Sequence, residues 1–268
     1  MQQYCDNDKR LYNRLHIISN QIFLLINQLN LFMKKYNTKC LFPSLLAISF
    51  LTFSCSDNDD PVPVPQEGIE KASLVFTPLS GSDDLSAHGD HFHGLSAAVE
   101  GEPVTVEFNS DGIASSGGHL HLDPEVIYKL ELQAWDYDGK RVEGDFVKDK
   151  ATADLYKAFL QGGNFTLNTE TEDESGAIFQ PRDQTYGDGT AVEGQYETTG
   201  ILSYFIVGAS NEGGTVNVSY VLREFNNPDT KAAVTRLDWN AGDYTERFPG
   251  KDVLKLNFEI HAEHGHDH

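Results

Sequence analysis

The chain has 268 residues, with 41 acidic side chains against 20 basic ones and a formal charge of −21. A field of that sign repels phosphate backbones and anionic headgroups, which excludes nucleic acid as a partner and favours cations. Three cysteines, Cys5, Cys40 and Cys55, are too few and too clustered toward one end for a disulfide-stapled scaffold, so a folded domain here depends on its own core.

Residues 1–32 show no folding pattern and are read as a spurious upstream extension, with Met33 as the initiator. Residues 33–54 have the layout of a lipoprotein signal peptide: Lys34, Lys35 and Lys39 follow Met33, and the apolar run Leu41 to Phe53 comes next. The run is shorter than the ~20 residues of a membrane span. Leu51-Thr52-Phe53-Ser54-Cys55 resembles a lipobox, with Thr52 at the place usually filled by leucine. Cleavage there makes Cys55 the lipidation site and the link to a membrane. Without residues 1–54, which carry six basic and two acidic side chains, 14 basic and 39 acidic residues remain, a charge of about −25.

Residues 55–71 read as a linker, because Asp57, Asp59 and Asp60 are followed by Pro61, Pro63 and Pro65 alternating with other residues, and proline fixes φ and stiffens the chain. From Ala72 the apolar period is two. Val104-Val106-Phe108 runs into the turn Asn109 to Gly112, and Tyr128-Leu130-Leu132-Ala134 runs into the turn Asp136 to Gly139. Leu202 to Val207, Val216 to Leu222 and Leu254 to Ile260 continue the pattern. These strands predict an all-β fold, an antiparallel, immunoglobulin-like β-sandwich over residues 72–261. Leu155, Tyr156 and Phe159 are close to helical spacing and Gly162-Gly163 follows, which predicts one short helix over 151–161. The acidic stretch from Asn168 to Glu197 has little apolar period and reads as a long loop.

Nine of the ten histidines fall in three places. His88, His91 and His93 surround Asp90 in a glycine-bounded segment. His119 and His121 alternate with Leu120 and Leu122. His261 leads into a tail, 262–268, with His264, His266 and His268. Neutral imidazole is a common metal ligand, and a His-x-His pair on a strand presents both rings to one face. With Leu120 and Leu122 inward, His119 and His121 are expected on an outer face. His261 is expected opposite Leu254, Leu256, Phe258 and Ile260, beside Lys255, Asn257 and Glu259. The tail reads as a flexible metal-gathering arm. The expected ligand set is therefore His88, Asp90, His91, His93, His119, His121, His261, His264, His266 and His268. A single site formed by the first two clusters is one arrangement open to it. Imidazole with carboxylate and no thiolate favours zinc, with Cu(II) and Ni(II) as alternatives.

The segment from the lipobox through Val104 to Phe108, Tyr128 to Leu132, Phe165 to Leu167 and Val218 to Phe225 followed by Asn226-Asn227-Pro228-Asp229 resembles a family of small Bacteroidota lipoproteins. That family is often labelled a type 1 periplasmic binding fold superfamily. The resemblance implies an outer-membrane lipoprotein, at the cell surface or the periplasmic face, that works beside a TonB-dependent receptor. The label's two α/β lobes do not match the strand pattern read here. The leading functional expectation is capture, buffering or handover of a divalent metal. A glycan- or protein-binding sandwich using Trp135, Tyr137, Trp239 and Tyr244 is the alternative. A metal-dependent hydrolase ranks below both, since no nucleophile motif or His-Glu-x-x-His accompanies the ligands.

Overall fold

The computed structural model describes residues 67–81, 83–194 and 198–264. The expected extension, signal peptide and lipidation site Cys55, most of the linker, and tail residues His266 and His268 lie outside them. Two sheets face each other, as the alternation predicts. The larger sheet contains β1 (Ile69–Ser80), β4 (Val99–Glu100), β5 (Val104–Phe108), β6 (Ala114–Ser116), β8 (Tyr128–Asp136), β10 (Ile178–Pro181) and β11 (Leu202–Ile206), in the order β10-β11-β8-β1-β5-β6 with β4 on the end of β1. The smaller sheet contains β7 (His119–Leu122), β9 (Tyr156–Gly162), β12 (Thr215–Phe225) and β13 (Gly250–Ala262), in the order β7-β13-β12-β9. A hairpin of β2 (Ser86–His88) and β3 (His91–His93) stands apart.

The period of two decides which side chains meet between the layers. Leu74 and Phe76 of β1, Val106 and Phe108 of β5, and Leu130 and Leu132 of β8 face Leu120 and Leu122 of β7, Tyr220 and Leu222 of β12, and Leu256 and Phe258 of β13. Phe258 meets Phe76 and Phe108 at ring distances of 5.9 and 6.1 Å, so the two sheets touch through aromatic edges. Residues of opposite parity on the larger sheet, Leu79, Ile178, Tyr204 and Ile206, form a second cluster with Phe92. The β2–β3 hairpin therefore packs on the outer face of that sheet.

Two regions differ from the sequence expectation. The helix expected over 151–161 is confined to α1 (Lys150–Ala153), whose N-cap Asp149 accepts from the Thr152 N–H; Tyr156 onward is β9. Ala158 and Leu160 point into the sandwich, while Phe159 joins Val221, Phe225, Val234, Tyr244 and Phe248 on the outer side. A strand buried on both faces loses its alternation and imitates a helix. Residues 168–197 are likewise more than a loop. They contain a 3-10 turn, Asn168–Glu170, and the edge strand β10, whose four residues are all buried. Two further short helices follow, α2 (Pro228–Ala232) and α3 (Tyr244–Arg247), and Tyr244 of α3 helps cover Phe159 and Val221. No helix among the described residues is long and apolar enough to cross a membrane.

Among the described strands one pairing is parallel: β7 runs with β13, aligning His119 with Glu259 and His121 with His261. The chain reaches this position from the other sheet. Ile113 bridges Asn257, and His119 pairs with Glu259 only two residues further along β13. Residues 114–118 must therefore bow outward between these points, and part of the bow, β6, pairs with β5. Gly112 anchors the crossing. Its φ is +70°, and a Cβ there would lie 1.8 Å from the Lys255 carbonyl oxygen. Gly112→Ala is expected to destabilise the fold by more than ~1 kcal/mol, from strain plus displacement of the Asn257 N–H···O=C Gly112 bond (2.9 Å). An unchanged urea midpoint would show that the crossing does not depend on this contact.

Candidate metal centre

His119 and His121 stand on the outer face of the smaller sheet because their leucine neighbours are buried at 1% exposure. The β7–β13 register then sets His119 beside Glu259 and His121 beside His261. Glu259 Oε1 accepts from His119 Nδ1 at 2.6 Å and from His261 Nε2 at 2.6 Å. One atom each from His119, Glu259 and His261 lies within 4.8 Å of the others. The remaining His261 nitrogen, Nδ1, is 3.1 Å from Thr215 Oγ1. The His261 ring stacks on His121 at 4.8 Å and 17°. His121 Nδ1 donates in turn to Glu263 Oε1 at 2.5 Å. Hydrogen bonds from His119 first and His261 second hold the Glu259 carboxyl below its ordinary pKa, so it is anionic where an imidazole is neutral.

These residues suit a divalent cation. Two imidazoles and one carboxylate form a known zinc ligand set that leaves a position open. A hydroxyl on the second nitrogen of His261 is the kind of outer contact that orients a ligating imidazole. Ligand atoms around tetrahedral zinc are ~3.3 Å apart. A cation replacing the two shared protons would widen the 2.6 Å contacts by rotation of exposed side chains.

The hairpin makes a separate cluster. Phe92 is buried against the larger sheet, which turns His91 and His93 outward, and His88 pairs directly with His91. Ring centroids are 5.9 Å apart for His88 and His91, 6.0 Å for His88 and His93, and 4.6 Å for His91 and His93. Glu174 clamps the turn, accepting from His88 Nδ1 at 2.9 Å and the Gly89 N–H at 3.1 Å. Those two bonds, His88 foremost, hold the Glu174 carboxyl below its ordinary range. Asp90 accepts from His91 Nδ1 at 3.0 Å and from Arg236 at 3.2 Å. Burial acts to raise the Asp90 pKa, but the hydrogen bonds from His91 and Arg236 outweigh it and the net shift is downward. Asp90 is thus engaged with Arg236 as well as with His91.

The first two histidine clusters do not form one site. One is on the outer face of the smaller sheet and the other is on the outer face of the larger sheet, with the core between them. The tail is also less free than expected at its start. His264 Nδ1 is 3.3 Å from Asp123, and its Nε2 is 3.6 Å from Glu212. The hydrogen bond to Asp123 is the leading cause of a raised His264 pKa.

Glu259, Glu263 and Glu174 complete these clusters but were not among the expected ligands. Glu259 is signalled by its placement two residues before His261 on the polar face of the strand. Glu174 has no comparable signal, since it reaches His88 from 86 residues away. Of the aromatic residues proposed as a stacking surface, Trp239 and Tyr244 are 5% and 9% exposed. Trp239 packs between Phe165 and Phe179 at 5.9 and 6.0 Å. Trp135 is covered by Lys71 and Arg141 at 5.1 and 5.0 Å. Comparison of the chain with protein-family models, curated proteins and solved structures finds no match.

Proposed function

We propose that this chain is a membrane-tethered lipoprotein that binds a divalent transition metal for capture, buffering or handover. Zinc is favoured, with Cu(II) and Ni(II) as alternatives. The observation that carries this reading is the meeting of His119, Glu259 and His261, whose ligand atoms lie within 4.8 Å of one another, with Thr215 on the far nitrogen of His261. The acidic balance supports it by concentrating cations near the surface. The tether rests on Cys55 and its lipobox. The resemblance to small Bacteroidota lipoproteins adds a TonB-dependent receptor as partner. The His88, His91 and His93 hairpin offers a second, independent site on the opposite layer.

Calorimetric zinc titration of the full chain in detergent tests the reading. His119→Ala with His261→Ala is expected to weaken the tightest binding by roughly 100-fold, since two ligands are lost. Alanine at His88, His91 and His93 together should leave that binding in place and remove only a separate class of sites. Equal zinc affinity in the wild type and the His119/His261 double variant would sink the proposal.

A further inference from the structure

The outer face of the smaller sheet carries more polar chemistry than a metal cluster requires. Cross-strand register arranges it in rows: Thr215, His261 and His121; then Asn217, Glu259 and His119; then Gln161, Ser219 and Asn257. A groove of about 850 Å³ runs over these rows, with residues 114–118, bowed out between the two β13 contacts, forming one rim. His119 and Glu259 line it, and His261 is one row beyond, so the cluster sits at one end of the groove.

The volume falls in the range of sites that hold small organic molecules, far more than one ion occupies. Three protein ligands leave a coordination position open. The floor supplies hydrogen-bonding groups alongside apolar surface. Ser219 Oγ and Asn257 Oδ1 are bonded to each other at 2.7 Å, which orients both. The side chains of Asn217 and Lys255 have no hydrogen bond or ion pair among the described residues and line the same groove. An amide and an ammonium together match hydroxyl and carboxylate oxygens. Among the described residues Lys255 is the only Lys or Arg lining the groove, so it favours a carboxylate beside it on a chain otherwise rich in negative charge.

We infer that the groove takes a small hydroxycarboxylate chelator together with the metal, so that the species recognised is a metal chelate and not the bare ion. This rests on the metal reading above. One arm of the chelator occupies the open coordination position at His119 and Glu259, and its free carboxylate and hydroxyl groups lie toward Asn217 and Lys255.

Citrate is the probe. Labelled citrate is dialysed against the full chain in detergent, with and without zinc, for the wild type and for Asn217→Ala with Lys255→Ala. Both substituted side chains are exposed, and thermal melts confirm that the variant folds. The expected result is citrate retained only with zinc present, and retention about tenfold weaker in the variant, while zinc alone binds both proteins equally. Citrate that strips zinc from the protein, or that is retained equally by the variant, overturns the chelate proposal and leaves the metal site standing. Absence of zinc binding in the citrate-free arm overturns both.

Discussion

Replacing Arg223 with alanine is expected to cost ~2–4 kcal/mol of folding stability, because it removes the buried partner of a partly buried ion pair and leaves carbonyls without a donor. Arg223 leaves β12 at the point where its register with β13 shifts, and its side chain is 4% exposed. Its Nε donates to the Phe248 carbonyl at 2.8 Å, Nη2 donates to the Gly250 carbonyl at 3.1 Å, and Nη1 pairs with Asp252. Tyr244 completes the arrangement: its ring lies 5.2 Å from the guanidinium and its hydroxyl donates to Asp252 Oδ2 at 2.7 Å. Alanine would strip two carbonyls of their Arg223 donor, remove the guanidinium from Asp252, which keeps the Tyr244 hydroxyl, and loosen the segment that covers Phe159. Arg223→Met keeps part of the apolar stem and should lose less. Urea unfolding measures both, and a loss below ~1 kcal/mol in the alanine variant would refute this role.

Stability is also expected to rise between pH 7 and pH 10, the reverse of what growing negative charge alone would do. Lys231 on α2 and Lys157 on β9 are 2% and 5% exposed. Lys231 donates to the Ala153 carbonyl at 2.5 Å, and Lys157 reaches the Thr198 carbonyl at 3.4 Å. Burial is the main cause that lowers Lys231 to about 7 and Lys157 to about 8, and their mutual repulsion lowers Lys231 further. Buried Asp183, whose own pKa is raised chiefly by burial, opposes part of the shift.

The unfolded chain keeps these lysines protonated up to about pH 10.4, whereas the folded chain releases the protons earlier, so unfolding takes up protons across that window and stability climbs with pH. The Lys231 share is on the order of 3–5 kcal/mol. Lys231→Met removes the group while keeping its length, so the variant should be the more stable protein near pH 7 and should show a flatter climb. Denaturant midpoints at three pH values decide the matter: parallel curves for variant and wild type would rule out a titrating Lys231.

The strands with one buried and one wet face were legible in the sequence. Val106 and Phe108, Leu130 and Leu132, and Leu256 and Phe258 alternate because only one side of each meets the core. β9 and β10 were not legible, because Phe159 and Ile178 find apolar partners on the outer faces of the sheets and the polar positions that mark a strand disappear. At the candidate site, Leu120 and Leu122 fixed the outward direction of His119 and His121. Which third group they would meet depended on the parallel pairing with β13, and strand register between distant segments has no local sign. The same limit hid the separation of the two histidine clusters. Phe92 is apolar in either arrangement, and only its packing on the larger sheet shows which layer the hairpin covers.

The parallel join of β7 and β13 also bears on the order of folding. His119 and Glu259 are 140 residues apart, and β13 separates β7 from the rest of its sheet. A local hairpin can form as soon as its turn is made, but this edge must wait for a loop of that length to close, which is slow on entropic grounds. β7 can be seated only after β13 has docked, and the histidine cluster is completed by the same event. A chain that has lost residues 250–262 still contains β7 and both of its histidines, yet it has no strand for β7 to lie against and lacks both Glu259 and His261, the partners that complete the cluster with His119 in the folded chain.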